Sequence, residues 1–238
     1  MLTEIKIGDI PVDVILKDIK NVHLSVYPPT GRVRISAPLN SNLDTLRIYA
    51  ISKLPWIKRN QTKQLSQARE TPREFLERES HYVWGKRYLL KIVNVETAAR
   101  VEIKHSQLVM YVRPSTPTNQ LQHILDGWYR EQIKSAVPEL IEKWQKLMGV
   151  KVNNFYIQKM KTKWGSCNPF LGNIRLNSEL AKKTIECLEY VTVHEMMHLI
   201  EPTHNSCFLT LMDKYLPNWH TIRNTLNNLP VKSEMWKY

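Results

Sequence analysis

The chain holds 238 residues, 42% of them hydrophobic and 24% charged, with 7 Gly and 13 Pro. This excludes collagen-like and low-complexity chains and leaves room for one domain or two modest ones. The formal charge of +12 divides into +8 over residues 1–150 (23 Lys/Arg against 15 Asp/Glu) and +4 over residues 151–238 (11 against 7), a spread basic surface rather than a tail.

The first twenty residues carry Glu4, Asp9, Asp13 and Asp18, so they lack the apolar run of a secretory signal. No stretch reaches the ~20 apolar residues of a membrane span. A cytoplasmic protein without membrane contact is expected. Three cysteines, Cys167, Cys187 and Cys207, form no CxxC pair, which argues against both a disulfide framework and a cysteine-built metal site.

Residues 4–7 and 11–16 flank a Gly8-Asp9 turn, and Val22, Leu24, Val26 and Val33, Ile35, Ala37 alternate on either side of Pro28-Pro29-Thr30-Gly31. Two hairpins in a small antiparallel sheet follow from that pattern. Ser41 can cap a helix through Leu43, Leu46 and Ala50, and Pro55 opens a second that runs to about residue 70. The second is basic, with Lys58, Arg59, Lys63 and Arg69, and offers nucleic acid as an alternative partner. Strand patterns return at 88–93, 100–104 and 108–113. From Thr118 a helical period runs through Leu121, Leu125 and Trp128, with a break or kink at Pro138, to Gly149. Short strands at 154–159 and 172–177 precede helices at about 184–200, 205–215 and 218–226. The fold class is therefore α+β, with a β-rich region over 1–115 carrying a basic helical hairpin, then a helical domain with a small sheet over 116–238.

His194-Glu195-Met196-Met197-His198 places two imidazoles four residues apart on one helix face, close enough to share a metal ion. Glu195 follows the first, placed to reach a water on the metal without ligating it. A catalytic zinc usually takes three side chains and leaves its fourth position open. Glu201, His204, Cys207, Asp213 and His220 are on offer for the third. Pro202 decides, because the chain must leave the helix axis just after Leu199 or Ile200, and a turn there swings His204 back. The spacing 194, 198, 204 also matches HExxHxxGxxH, with Glu201 where that motif has glycine. The apolar neighbours Val191, Val193, Met196 and Met197 bury this helix, where unpaired imidazoles and a carboxylate would be costly. Zn2+ held by His194, His198 and His204 activates water at neutral pH, and Glu195 acts as general base and then acid in peptide hydrolysis. A second electrophile is expected among Lys163, Arg175, Tyr190, Tyr215 and His220.

Met160-Lys161-Thr162-Lys163-Trp164-Gly165-Ser166-Cys167, followed by Ile174-Arg175-Leu176-Asn177 and residues 190–199, resembles the YgjP-like, SprT-related zinc metallopeptidases, whose block reads M-K-T-[KR]-W-G-S-C. The resemblance is specific over residues 128–219 and diffuse at Trp84-Gly85-Lys86. It implies a zincin-like catalytic domain, a polypeptide substrate, His194, His198 and His204 as metal ligands and Glu195 as the catalytic glutamate. It further implies residues 173–177 as an edge strand that receives the substrate backbone. Thr203, Asn205 and Leu209 depart from residues frequent in the family. Trp164, Cys167 and Met212 read as packing residues, and Cys207 as a buried helix thiol.

Overall fold

Alternating apolar and polar residues build the first sheet of the computed structural model, which describes residues 2–27, 30–66, 69–70, 73–160, 163–228 and 231–232. β1 (Leu2–Ile7) and β2 (Ile10–Lys17) form one hairpin around Gly8, whose φ of +56° makes the tight turn; β3 (His23–Tyr27) and β4 (Arg32–Pro38) form the second. The sheet is mixed rather than wholly antiparallel, in the order β1-β2-β4-β3 with β2 and β4 parallel. The centre of the sheet is β2 and β4, where Val12, Val14, Val33 and Ile35 are fully buried.

α1 (Leu43–Ser52) is capped by Asn42, one residue after the expected Ser41: the Asn42 side-chain oxygen accepts from the Asp44 amide at 2.7 Å. α2 (Leu54–Ser66) stops short of residue 70, and β5 (Arg69–Glu70) follows it. Lys58 and Arg59 are exposed on α2, whereas the side chains of Lys63 and Arg69, and the turn residues Pro28 and Pro29, lie outside the described residues.

In the second sheet, β6 (Ser80–Val83), β7 (Lys86–Asn94), β8 (Arg100–Lys104) and β9 (Gln107–Val112) take the order β6-β7-β9-β8. α3 (Thr118–Met148) is a single helix that passes Pro138 without a break and ends at Gly149 in the left-handed conformation. Pro138 lies on the exposed face, so the Lys134 carbonyl that loses its donor there can turn to solvent. The opposite face, Leu121, Leu125, Tyr129, Ile133, Val137 and Ile141, is buried in one core with Val83, Leu90, Leu108 and Met110. The chain divides into two compact units, Met1–Pro72 with Asn228–Tyr238, and Arg73–Asn227, and within the second that sheet and α3 share a core.

β10 (Asn154–Gln158), β11 (Gly165–Asn168) and β12 (Asn173–Asn177) form a third sheet with β12 in the middle. A 3-10 turn at Ser178–Lys182 leads to α4 (Ile185–Met197), which packs on β11, β12 and α3. α5 (Ser206–Tyr215), α6 (Trp219–Asn228) and β13 (Val231–Lys232), the parallel partner of β5, complete the α+β chain. Among the described residues, no helix is long and apolar enough to cross a membrane.

Candidate metal centre

Nine of the thirteen residues of α4 are buried, among them Tyr190, Val191, Val193, Glu195, Met196 and Met197, which fixes the helix firmly in the core. It ends at Met197, earlier than the expected exit after residue 199 or 200. His198 still has helical dihedrals, φ −65° and ψ −12°, so it stays one turn beyond His194. Leu199, Ile200 and Glu201 then close a tight turn onto the Met196 and Met197 carbonyls. After Pro202 the chain reverses, and Asn205 caps α5 by accepting the Phe208 amide at 3.0 Å. The cap anchors the residue next to His204.

The result is a cluster of three imidazoles with ring centroids 4.6–5.1 Å apart. One nitrogen from each ring lies within 4.8 Å of the other two, and the Nε2 atoms of His194 and His204 approach to 2.9 Å. Burial, and then the neighbouring imidazoles, push His194 down to about 3, and burial lowers His198 as well. Both rings are therefore neutral at physiological pH, the state a metal ligand needs. His198 Nδ1 lies 3.1 Å from the Glu201 carbonyl, a group that can only accept; Nδ1 donates, and Nε2 keeps its lone pair. Converging lone pairs on neutral nitrogens fit a divalent metal ion.

Phe208 forms the floor of the cluster. Its ring is 1% exposed and sits 4.8–5.0 Å from all three imidazole rings. Phe208→Ala should lower stability by about 3–5 kcal/mol, as emptying a well-packed aromatic site does. Metal affinity should fall with it, because the rings lose the surface that orients them; thermal unfolding with and without metal measures both effects.

Glu195 is 6% exposed. Burial pushes its carboxyl up to about 8, while the positive charge of Lys163 pulls it the other way. It lies against Gly165 of β11. Cys167 lies two residues along that strand, its thiol pushed up to about 11 by burial and then by the Glu195 charge, so it is protonated and a poor ligand. Asn177 at the end of β12 organises the approach. Its Nδ2 donates to the carbonyls of Met160 and Lys163, both at 2.8 Å, and its Oδ1 accepts from the Met160 and Glu179 amides. Lys161 and Thr162 lie outside the described residues.

Of the five expected electrophile candidates, two lie beside the centre. Lys163 acts on Glu195, and the Tyr190 ring is 5.9 Å from His194. Arg175 is exposed and rests over Tyr156 on β10, His220 is exposed and pairs with Asp213, and Tyr215 is packed beside Lys214. Arg223 was not singled out from the sequence. Its guanidinium lies over Trp219, which stacks on Tyr190, and its charge acts on both Tyr190 and His194. Only its helical spacing from Trp219 on α6 hinted at this. Trp164 is half-buried and Met212 fully buried, both against the core, whereas Cys207 is exposed on α5 rather than buried.

A largely buried helix carrying His-Glu-x-x-His, with a third histidine brought back to it by a turn, defines a metallopeptidase domain. The chain belongs to the YgjP-like family, whose metallopeptidase-domain model matches residues 20–229. Two solved structures resemble part of it. The metallopeptidase zymogen of Pyrococcus abyssi abylysin is 23% identical, over 38% of this chain and 90% of that one, with a TM-score of 0.36. The metallopeptidase zymogen of Methanocaldococcus jannaschii jannalysin is 24% identical, over 40% of this chain and 86% of that one, with a TM-score of 0.33. No curated protein matches the chain.

Proposed function

We propose that this chain is a zinc-dependent endopeptidase in which His194, His198 and His204 hold the metal and Glu195 moves the proton. The observation that carries this reading is the convergence of three imidazole nitrogens, from His194 on α4, His198 at its C-cap and His204 beyond the turn, with the buried carboxylate Glu195 directly after the first. Zinc is the metal of choice for such a set, since imidazole suits it and three protein ligands leave one position open. When bound, it supplies a Lewis acid that polarises the scissile carbonyl and makes water acidic.

The chain's own residues supply the rest. Glu195, one residue after the ligand His194 and against the open strand β11, accepts a proton from the attacking water and returns it to the leaving nitrogen. Among the described residues, Lys163, whose charge acts on Glu195, Arg223, whose charge acts on His194, and Tyr190, whose ring lies 5.9 Å from that of His194, are candidates to stabilise charge developing on the carbonyl oxygen.

The substrate-receiving edge shifts from the expected residues 173–177 to β11. β12 is central and hydrogen-bonded on both sides, so it has no edge to offer. Among the described residues, no strand pairs with the far side of β11. The Asn177 amide donates to the Trp164 carbonyl, and antiparallel alternation from that pair turns the N–H and C=O groups of Gly165 and Cys167 outward. An extended polypeptide can add there as a fourth strand, next to Glu195.

The purified protein should contain one zinc per chain and cleave an unfolded protein substrate. A chelator should stop the cleavage, and one equivalent of zinc should restore it. Cleavage at the same rate in chelator, or a protein that takes up no stoichiometric metal, overturns the reading.

A further inference from the structure

Gly165 is buried in β11, and its backbone does not require a glycine: unlike Gly8, Gly85, Gly149 and Gly172, it has no positive φ. An alanine could adopt the same extended conformation. What the position excludes is a side chain. A Cβ built on Gly165 would lie 2.6 Å from Glu195 Oε1, 2.7 Å from Cγ and 2.9 Å from Cδ. These are its three nearest neighbours, and all belong to one residue.

Neither side can easily give way. β11 is pinned by its ladder to β12 from Gly165↔Leu176 to Asn168↔Asn173, and by the bond from the Asn177 amide to the Trp164 carbonyl just before it. Glu195 stands on α4 between Val193 and Met196, both fully buried. A clash reaching Cγ cannot be relieved by turning the carboxyl group alone, because the whole side chain must swing to another rotamer. We propose that Gly165 is a positioning residue for Glu195: its missing Cβ opens the slot in which the carboxylate lies between strand and helix. This inference rests on the reading of Glu195 as the proton-transfer group.

Gly165→Ala should therefore lower kcat by about a hundredfold, the scale of a 1 Å misplacement of a reacting group. Zinc stoichiometry and KM should stay near those of the parent, since neither the imidazoles nor the outward backbone groups of β11 are altered. A double-mutant cycle with Glu195→Ala, which removes Oε1, Cγ and Cδ together, should show losses that do not multiply. Gly127→Ala on α3, where an added Cβ meets nothing within 4 Å, should leave kcat unchanged. If Gly165→Ala instead lowers the Tm, Glu195→Ala in the same chain should recover it, because the three atoms nearest the added methyl all belong to that side chain. Parental kcat in Gly165→Ala, independent losses in the cycle, or a Tm that stays low in the Gly165→Ala/Glu195→Ala chain overturns the proposal. The reading of Glu195 itself fails separately, and only if Glu195→Gln keeps its activity.

Discussion

Glu195→Gln should keep one zinc per chain and slow hydrolysis by about a thousandfold, within the range that general acid–base catalysis supplies. The amide has nearly the shape of the carboxylate, so it occupies the same slot beside Gly165. The three imidazoles that converge with one another do not include it. Only the capacity to take and return a proton is lost. A second measurement follows from the buried carboxyl. In the metal-free protein its folded-state pKa of about 8 exceeds its ordinary value of 4.5. The unfolded chain therefore loses its proton first as pH rises. The folded state has its full relative stability below 4.5 and loses it as pH climbs through about 8. Glutamine does not titrate, so the Tm of metal-free parent should fall relative to that of Glu195→Gln between pH 5 and pH 8. Hydrolysis by the variant at the parental rate would falsify the assignment of the base; equal Tm changes over that range would show that the carboxyl is not held in so dry a place.

Much of this is legible in the sequence where periodicity or covalent spacing decides the structure. The hairpins β1-β2 and β3-β4 follow from alternation, and α3 from its stripe of apolar residues with Gly149 at its end. The histidine cluster follows from the four-residue step on a helix and from Pro202, which forces a turn before His204. What was not legible depends on contacts between distant segments. Gly-Ser-Cys-Asn at 165–168 has neither β-branched residues nor apolar alternation, so β11 gives no strand signal. Without it, nothing in the sequence shows that β12, the segment the family resemblance points to as an edge, is the middle strand. The parallel joins β2-β4 and β7-β9 are equally silent, since a hairpin's sequence fixes its own register but not its neighbour. The packing of Leu108 and Met110 with α3 in one core is silent for the same reason. Phe208 beneath the imidazoles looks from the sequence like any apolar helix residue.

His204→Ala should abolish stoichiometric zinc binding and hydrolysis together, which separates a ligand from the base. His204 is the one member of the cluster that stands neither on α4 nor at its C-cap. It is exposed, and the Asn205 cap that follows it depends on the Asn205 side chain, not on the imidazole. Its removal should leave the metal-free fold within about 0.5 kcal/mol of the parent, as at most exposed positions. His194 on α4 and His198 at its C-cap remain, yet two imidazoles leave half of a tetrahedral site to water. Loss of a group that merely orients a ligand weakens metal binding about 10–100-fold. Loss of the ligand should exceed that, and metal titration of the variant beside its parent reads the difference. His220→Ala is the control: that imidazole is also exposed but pairs with Asp213, so zinc and turnover should both persist. Should His204→Ala hold zinc as tightly as the parent and turn over substrate as fast, the 2.9 Å approach of its Nε2 to His194 is a contact between side chains and not one side of a metal site. Metal loss in the His220→Ala control would move the third ligand to α6 and carry the open coordination position with it.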